Sequence, residues 1–213
     1  MFNRYETEEE QVAAIKSWWQ KNGTQLLLGI LLIVVAYSGW QYWQNKQYAE
    51  SVYASSVFEA LQVSAEQGKL GDVAREGLKL MEEQPKSPYS TGVALILAKF
   101  YMDKGDKTKA EENFQWAVTH APDSALKAVA QLRLARFYAA QQQFDQAQTV
   151  LSAVAVEKMV AAEKANYDFV VATLALLQGQ LAQAKQGFEK VIHNEKADQS
   201  LKAVAQLQLD DLN

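Results

Sequence analysis

The chain has 213 residues, ten glycines, three prolines, no cysteine and a formal net charge of −4. Lack of cysteine excludes disulfides, thiolate metal sites, a cysteine nucleophile and a lipidated N-terminal cysteine. Lack of a basic stripe leaves nothing to displace counterions from a phosphate backbone, which argues against nucleic acid as a partner.

So few chain breakers favour an all-α fold over a many-turned sheet protein. The first predicted element is a membrane span. Between Lys21 and Lys46 lie 24 residues without a formal charge, centred on LLLGILLIVVAYSGW (Leu26–Trp40). About 20 apolar helical residues cross a bilayer, so 22–45 is expected to be a transmembrane helix. Trp18 and Trp19 precede it, and Tyr37, Trp40, Tyr42 and Trp43 follow. Such rings favour the headgroup level, and Trp19 to Trp40 spans about 30 Å of helix, one hydrocarbon thickness.

Arg4, Lys16 and Lys21 lie on the N-terminal side, against Lys46 alone over the next stretch on the other. The positive-inside rule predicts a cytoplasmic tail (1–21) and an exported body (46–213), and the tail's Glu6, Glu8, Glu9 and Glu10 count little in that bias. A cleaved signal peptide is the competing reading. Leu26–Val35 would be its apolar region, with small residues Ala36 and Ser38 ahead of the cut. The long acidic lead and the continuing aromatic girdle favour an uncleaved anchor. Gln41–Glu66 contains neither proline nor glycine, so the span either runs on into the first repeat or hinges near Asn45.

From Ser51 onward, helical segments alternate with short polar breaks. Ala94, Leu97, Ala98, Tyr101, Gly105, Ala110, Phe114, Ala117 and Pro122 fall at positions 4, 7, 8, 11, 15, 20, 24, 27 and 32 of a 34-residue unit. This is tetratricopeptide spacing, two antiparallel helices that approach closely at small residues 8 and 20. Adding 37 finds Leu134, Ala135, Tyr138, Ala147, Leu151 and Val154. Adding 37 again finds Val171, Ala172, Gly179, Ala184, Phe188 and Val191. Going back 36 gives a weaker copy around Gly68, Ala74, Leu78 and Met81. Repeats are expected at roughly 51–88, 91–124, 128–161 and 165–198, closed by a capping helix at 199–213.

The heptapeptide LKAVAQL occurs at Leu126–Leu132 and again at Leu201–Leu207. Both copies follow a polar start suited to helix capping, Asp123-Ser124 and Asp198-Gln199-Ser200. The first copy opens the third repeat. The second is read as an unpaired first helix that covers the last repeat.

No catalytic constellation is present, and no cofactor or metal is expected. His120 and His193 fall near helix C-termini without further ligands. Glu82-Glu83, Glu111-Glu112 and Asp210-Asp211 sit in polar runs where a solvated face is the ordinary outcome. Solenoid repeats bind peptides on the concave face made by their first helices. Positions 5, 9 and 12 of the second repeat give Leu95, Lys99 and Met102. Positions 2, 5, 9 and 12 give Val129, Leu132, Arg136 and Ala139 in the third repeat, and Asn166, Phe169, Thr173 and Leu176 in the fourth. This mostly apolar lining lacks a full Lys/Asn/Arg set for gripping a terminal carboxylate. Packing within the superhelix is the competing role for Leu95, Leu132 and Phe169.

The acidic lead YETEEEQVAAIKSWWQKNG (Tyr5–Gly23) runs into a single span ending GWQYWQ (Gly39–Gln44), followed by the repeats. In this the chain resembles the YfgM family, the ancillary subunit of the bacterial SecYEG translocon, over essentially its whole length. The resemblance implies a non-enzymatic inner-membrane protein whose periplasmic repeats associate with the chaperone PpiD beside SecYEG. Unfolded secretory or outer-membrane proteins would be its clients. A scaffold for another envelope complex, or a regulator acting through the cytoplasmic tail, are the alternative functions.

Overall fold

A computed structural model describes residues 8–212; Arg4, Glu6 and the rest of the tail before Glu8 lie outside the described residues, as does Asn213. The described residues form helices and turns with no strand, an all-α fold. They divide into two compact units, Met1–Val52 and Tyr53–Asn213, and helix α1 (Glu8–Glu66) contributes to both.

In the first unit α1 passes Asn45 without a helical break. Its apolar side chains from Leu26 to Val35 stand open, Leu32 at 70% and Ile33 at 69% exposure. A bare helix satisfies all its backbone groups internally and needs only an apolar solvent, which is the condition inside a bilayer. It is the helix among the described residues that is long and apolar enough to cross a membrane. Trp18, Trp19, Trp40, Tyr42 and Trp43 all project from it, each about half exposed or more. The Trp40 and Trp43 rings lie 5.6 Å apart. Trp19 folds back over Gly23, where an added Cβ would sit 3.1 Å from the indole.

The second unit starts with the end of α1 and continues through α2 (Gly71–Glu83), α3 (Pro88–Asp103), α4 (Lys107–His120), α5 (Ser124–Ala140) and α6 (Phe144–Ser152). A 3-10 turn (Val156–Lys158) leads to α7 (Ala161–Leu177), α8 (Leu181–His193) and α9 (Gln199–Asp210). Side chains set several helix starts. Ser87 accepts the Tyr89 N–H with Pro88 at the first helical position, and Asp106 and Asp123 accept the N–H of Lys109 and Leu126. Each bond satisfies a donor that the first turn leaves unpaired.

The turns within the helix pairs repeat one geometry. Gly68, Gly105, Gln142 and Gly179 have φ of 68°, 80°, 59° and 74°, and they stand 37 residues apart. After each, the next N–H reaches back five residues: Lys69 to Ser64, Asp106 to Tyr101, Gln143 to Tyr138 and Gln180 to Ala175, at 2.8–2.9 Å. This left-handed helix stop satisfies two orphan carbonyls and turns the chain sharply enough for its pair to pack antiparallel.

The 37-residue interval therefore extends to the first pair, and the 36-residue offset is corrected. Leu78, read there as a large core residue, is 48% exposed. Gly77 and Leu80 take the inward positions instead, with Met81 beside them. The large–small order is inverted: Gly77 lets Val93 and Leu61 approach, a Cβ there meeting Val93 at 3.0 Å, while Leu80 fills the gap one turn later. Val171 departs from the code too, at 37% exposure against 0% for Leu97 and 4% for Leu134. In the same region α6 stops at Ser152 and hands over to the 3-10 turn, and it packs against α7 less than α4 packs against α5. Val170 and Leu174 take the buried places.

One apolar core runs from Ala54 to Leu151 and takes in Val170 and Leu174. A second joins α7, α8 and α9 around Phe188, Val191 and Ala205. Within the second, α7 and α8 approach closely: an added Cβ on Gly187 would lie 2.6 Å from the Ala172 Cβ.

Candidate functional site

The first helices of successive pairs, the end of α1 with α3, α5 and α7, line a trough in the second unit. Its larger hollow, about 520 Å³, is floored by Phe58, Gly92, Leu95, Ile96, Phe100, Leu126 and Val129. Gly92 shapes it: a Cβ there would lie 2.6 Å from the Phe58 ring, so only glycine lets that ring lie on the α3 backbone. A second hollow of about 240 Å³ continues between α5 and α7, and shares Val129 and Arg133 with the first.

Leu95, Lys99 and Val129 line the larger hollow, and Val129, Leu132 and Arg136 line the smaller, together with Asn166. Leu95 and Leu132 are nearly buried and serve as floor, while Val129 is 39% exposed. Met102, Phe169, Thr173 and Leu176 line neither hollow. Phe169 packs edge-on against Phe188 at 5.7 Å, the Thr173 hydroxyl donates to the Phe169 carbonyl, and Leu176 leans on the α8–α9 core. Met102 is 39% exposed on another part of α3.

Sequence projection missed Phe58, Ile96, Phe100 and Arg133. Helical side chains lean toward the N-terminus, so the patch a residue covers lies about one position away from its own Cα. The trough face is accordingly centred between positions 5 and 6 rather than toward position 12. Gly92, at position 2 of its repeat, was the available signal.

The trough's charges are mostly committed. Lys99 Nζ pairs with Asp103 at 2.6 Å, and a Glu163 carboxylate oxygen accepts the Val160 N–H at the start of α7. Arg136 lies over the Phe169 ring at 5.5 Å. Its guanidinium is held below its ordinary pKa, first by burial of the head group and second by the Arg133 charge. No group of three or more His, Cys, Asp or Glu able to hold a metal occurs among the described residues. His120 stacks on Trp116 at 4.2 Å, with Nδ1 3.0 Å from the Trp116 carbonyl. His193 makes the same local contact with Glu189.

A family model described as a tetratricopeptide repeat-like domain matches residues 16–213. The ancillary SecYEG translocon subunit of Haemophilus influenzae is 28% identical over 205 residues, 96% of this chain and 97% of the relative. That of Escherichia coli K12 is 31% identical over 150 residues, 70% and 72% of the two chains. That of Aggregatibacter actinomycetemcomitans is 24% identical over 187 residues, 88% and 89%. With the apolar helix of the first unit, these relatives make the chain an inner-membrane protein. It belongs to the tetratricopeptide repeat-like family, and within it to the YfgM family of ancillary SecYEG translocon subunits.

Proposed function

We propose that the chain is a non-enzymatic, membrane-anchored adaptor at the SecYEG translocon. Its N-terminus faces the cytoplasm, and its repeats (51–88, 91–124, 128–161 and 165–198, with the 199–213 cap) lie in the periplasm. The repeats receive the chaperone PpiD and emerging secretory or outer-membrane clients. The observation that carries this reading is the open apolar trough across four successive first helices. Support also comes from the relatives, which are ancillary SecYEG translocon subunits, and, for orientation, from Lys16 and Lys21 against Lys46. The mechanism is tethering: the span holds the trough at the membrane, where the local concentration of partner and client replaces high intrinsic affinity. Trp18, Trp19, Trp40, Tyr42 and Trp43 set the depth of that span.

The test is co-purification from membranes in a mild detergent at native expression. Recovery of SecYEG subunits and PpiD is expected, and their absence overturns the adaptor role. Alkaline phosphatase fused after Asn213 reports orientation. An active fusion is expected, and an inactive one reverses the topology.

A further inference from the structure

The trough holds two cations that form no ion pair among the described residues. Arg133 and Arg136 stand three residues apart on α5, and both line the smaller hollow. The like charge of Arg133 opposes that of Arg136. Among the described residues no carboxylate forms an ion pair with either. The acidic residues nearby are engaged elsewhere: Asp103 with Lys99, Glu163 with the Val160 N–H, and Glu66 facing the Gln62 amide. Arg136 lies over the Phe169 ring, a contact that restricts the directions its planar donor fork can take. Two like charges side by side repel each other, and a carboxylate between them relieves that repulsion while accepting hydrogen bonds from both guanidiniums.

We infer that Arg133 and Arg136 form a carboxylate-binding site for a partner protein's segment, in which an Asp or Glu side chain follows large apolar residues. The apolar residues occupy the larger hollow over Phe58, Ile96 and Phe100. The acidic residue lies over the arginines, since Val129 and Arg133 belong to both hollows and join them into one track. Charge complementarity selects this occupant over a purely apolar helix, for which the two uncompensated guanidiniums would be a penalty. Because the track continues on both sides of Arg133, an internal side chain suits it better than a chain terminus. This inference rests on the trough being the protein-binding face in the proposed function.

The test uses the full chain in phosphatidylcholine nanodiscs, which carry no net charge, as bait for a random dodecapeptide phage library. Wild type is compared with Arg133→Gln/Arg136→Gln. Wild type is expected to enrich peptides with Asp or Glu adjacent to Leu, Phe or Ile. The double variant is expected to enrich the apolar residues without the acid. Apolar enrichment with no acidic preference on wild type, or the same acidic preference on both baits, overturns the carboxylate site while leaving the apolar trough standing. No enrichment on either bait overturns the trough reading as well.

A synthetic form of the most enriched peptide then gives the magnitude by fluorescence anisotropy. Its Glu→Gln version is expected to bind about tenfold more weakly at 50 mM salt, with the gap narrowing at 500 mM. Equal binding of the two versions overturns the inference. Unchanged far-UV circular dichroism and melting of the double variant separate loss of the site from loss of the fold.

Discussion

Leu132 and Leu207 hold the same place in the same heptapeptide, yet Leu132 is 8% exposed and Leu207 63% exposed. Their neighbours diverge likewise. Gln131 is buried and donates to the Ala153 carbonyl at 3.2 Å, whereas its counterpart Gln206 is exposed and turns to Asp210. Ala128 packs with Val154 and Met159, whereas Ala203 is open. Only Ala130 and Ala205 share full burial. Leu132→Ala is expected to lose about 2–3 kcal/mol through cavity formation. Leu207→Ala should stay within about 0.5 kcal/mol, as at a surface site. Urea denaturation of both variants in detergent checks this, and equal losses would contradict the difference in burial.

Gln142 stands where the other turns have glycine, at φ 59°. The left-handed region costs a residue with a Cβ about 1 kcal/mol. Gln142→Gly is therefore expected to stabilise the fold by a fraction of that, after the added freedom of the unfolded chain. Gly179→Ala, at φ 74°, should destabilise it by about 1 kcal/mol. Opposite shifts in denaturation midpoint are the diagnostic outcome.

At Gly187 the usual helical gain from alanine, up to about 1 kcal/mol, is reversed by contact. The new Cβ would lie 2.6 Å from the Ala172 Cβ and 3.2 Å from its Cα. Backbone cannot yield as a flexible side chain can, so α7 and α8 must separate. Gly187→Ala is expected to destabilise by about 1–3 kcal/mol, seen as a lowered thermal midpoint.

Two adjacent hydroxyls on α3 predict opposite results. Ser90 Oγ donates to the Gln84 carbonyl at 2.7 Å and lies 3.3 Å from the Leu80 carbonyl, tying the end of α2 to α3. Ser90→Ala should cost about 1–2 kcal/mol. Thr91 Oγ1 is buried with no partner among the described residues. Thr91→Val keeps the shape and removes the unpaired hydroxyl, and is expected to gain about 1 kcal/mol. The two midpoints should move apart.

The cap of α9 carries a pH signature. The Ser200 backbone N–H, then the Ser200 hydroxyl and the Leu201 N–H, hold the Asp198 carboxyl below the usual carboxylate range. Its folded pKa is thus lower than its unfolded value of about 3.9. The stability it contributes is present above that value and is lost as pH falls through the folded pKa. Asp198→Ala should be less stable than wild type at pH 7, with the difference fading below about pH 4. Thermal midpoints at pH 7, 5 and 3 measure it; a constant difference would show that the cap works without its charge.

Much of this was legible in one dimension. An uncharged stretch between aromatic clusters can satisfy its backbone only as a helix, and only lipid suits so apolar a surface, so the span follows from local chemistry. The 37-residue code follows from steric need as well. Small residues must recur where two helices touch, as Ala98, Ala110 and Ala117 do, each fully buried.

The sequence could not decide which face of each helix would stay open, because that depends on where neighbouring helices stop. Val171 stays open, Gly77 and Leu80 exchange roles, and Phe58 reaches across to Gly92. Arg133 and Arg136 stand together with no ion pair among the described residues only once Asp103 and Glu163 are engaged elsewhere. LKAVAQL states the limit most directly. Its sequence makes a helix in both copies, since capping and periodicity are local. Whether its leucine is core or surface depends on residues far along the chain, because burial belongs to whatever lies opposite.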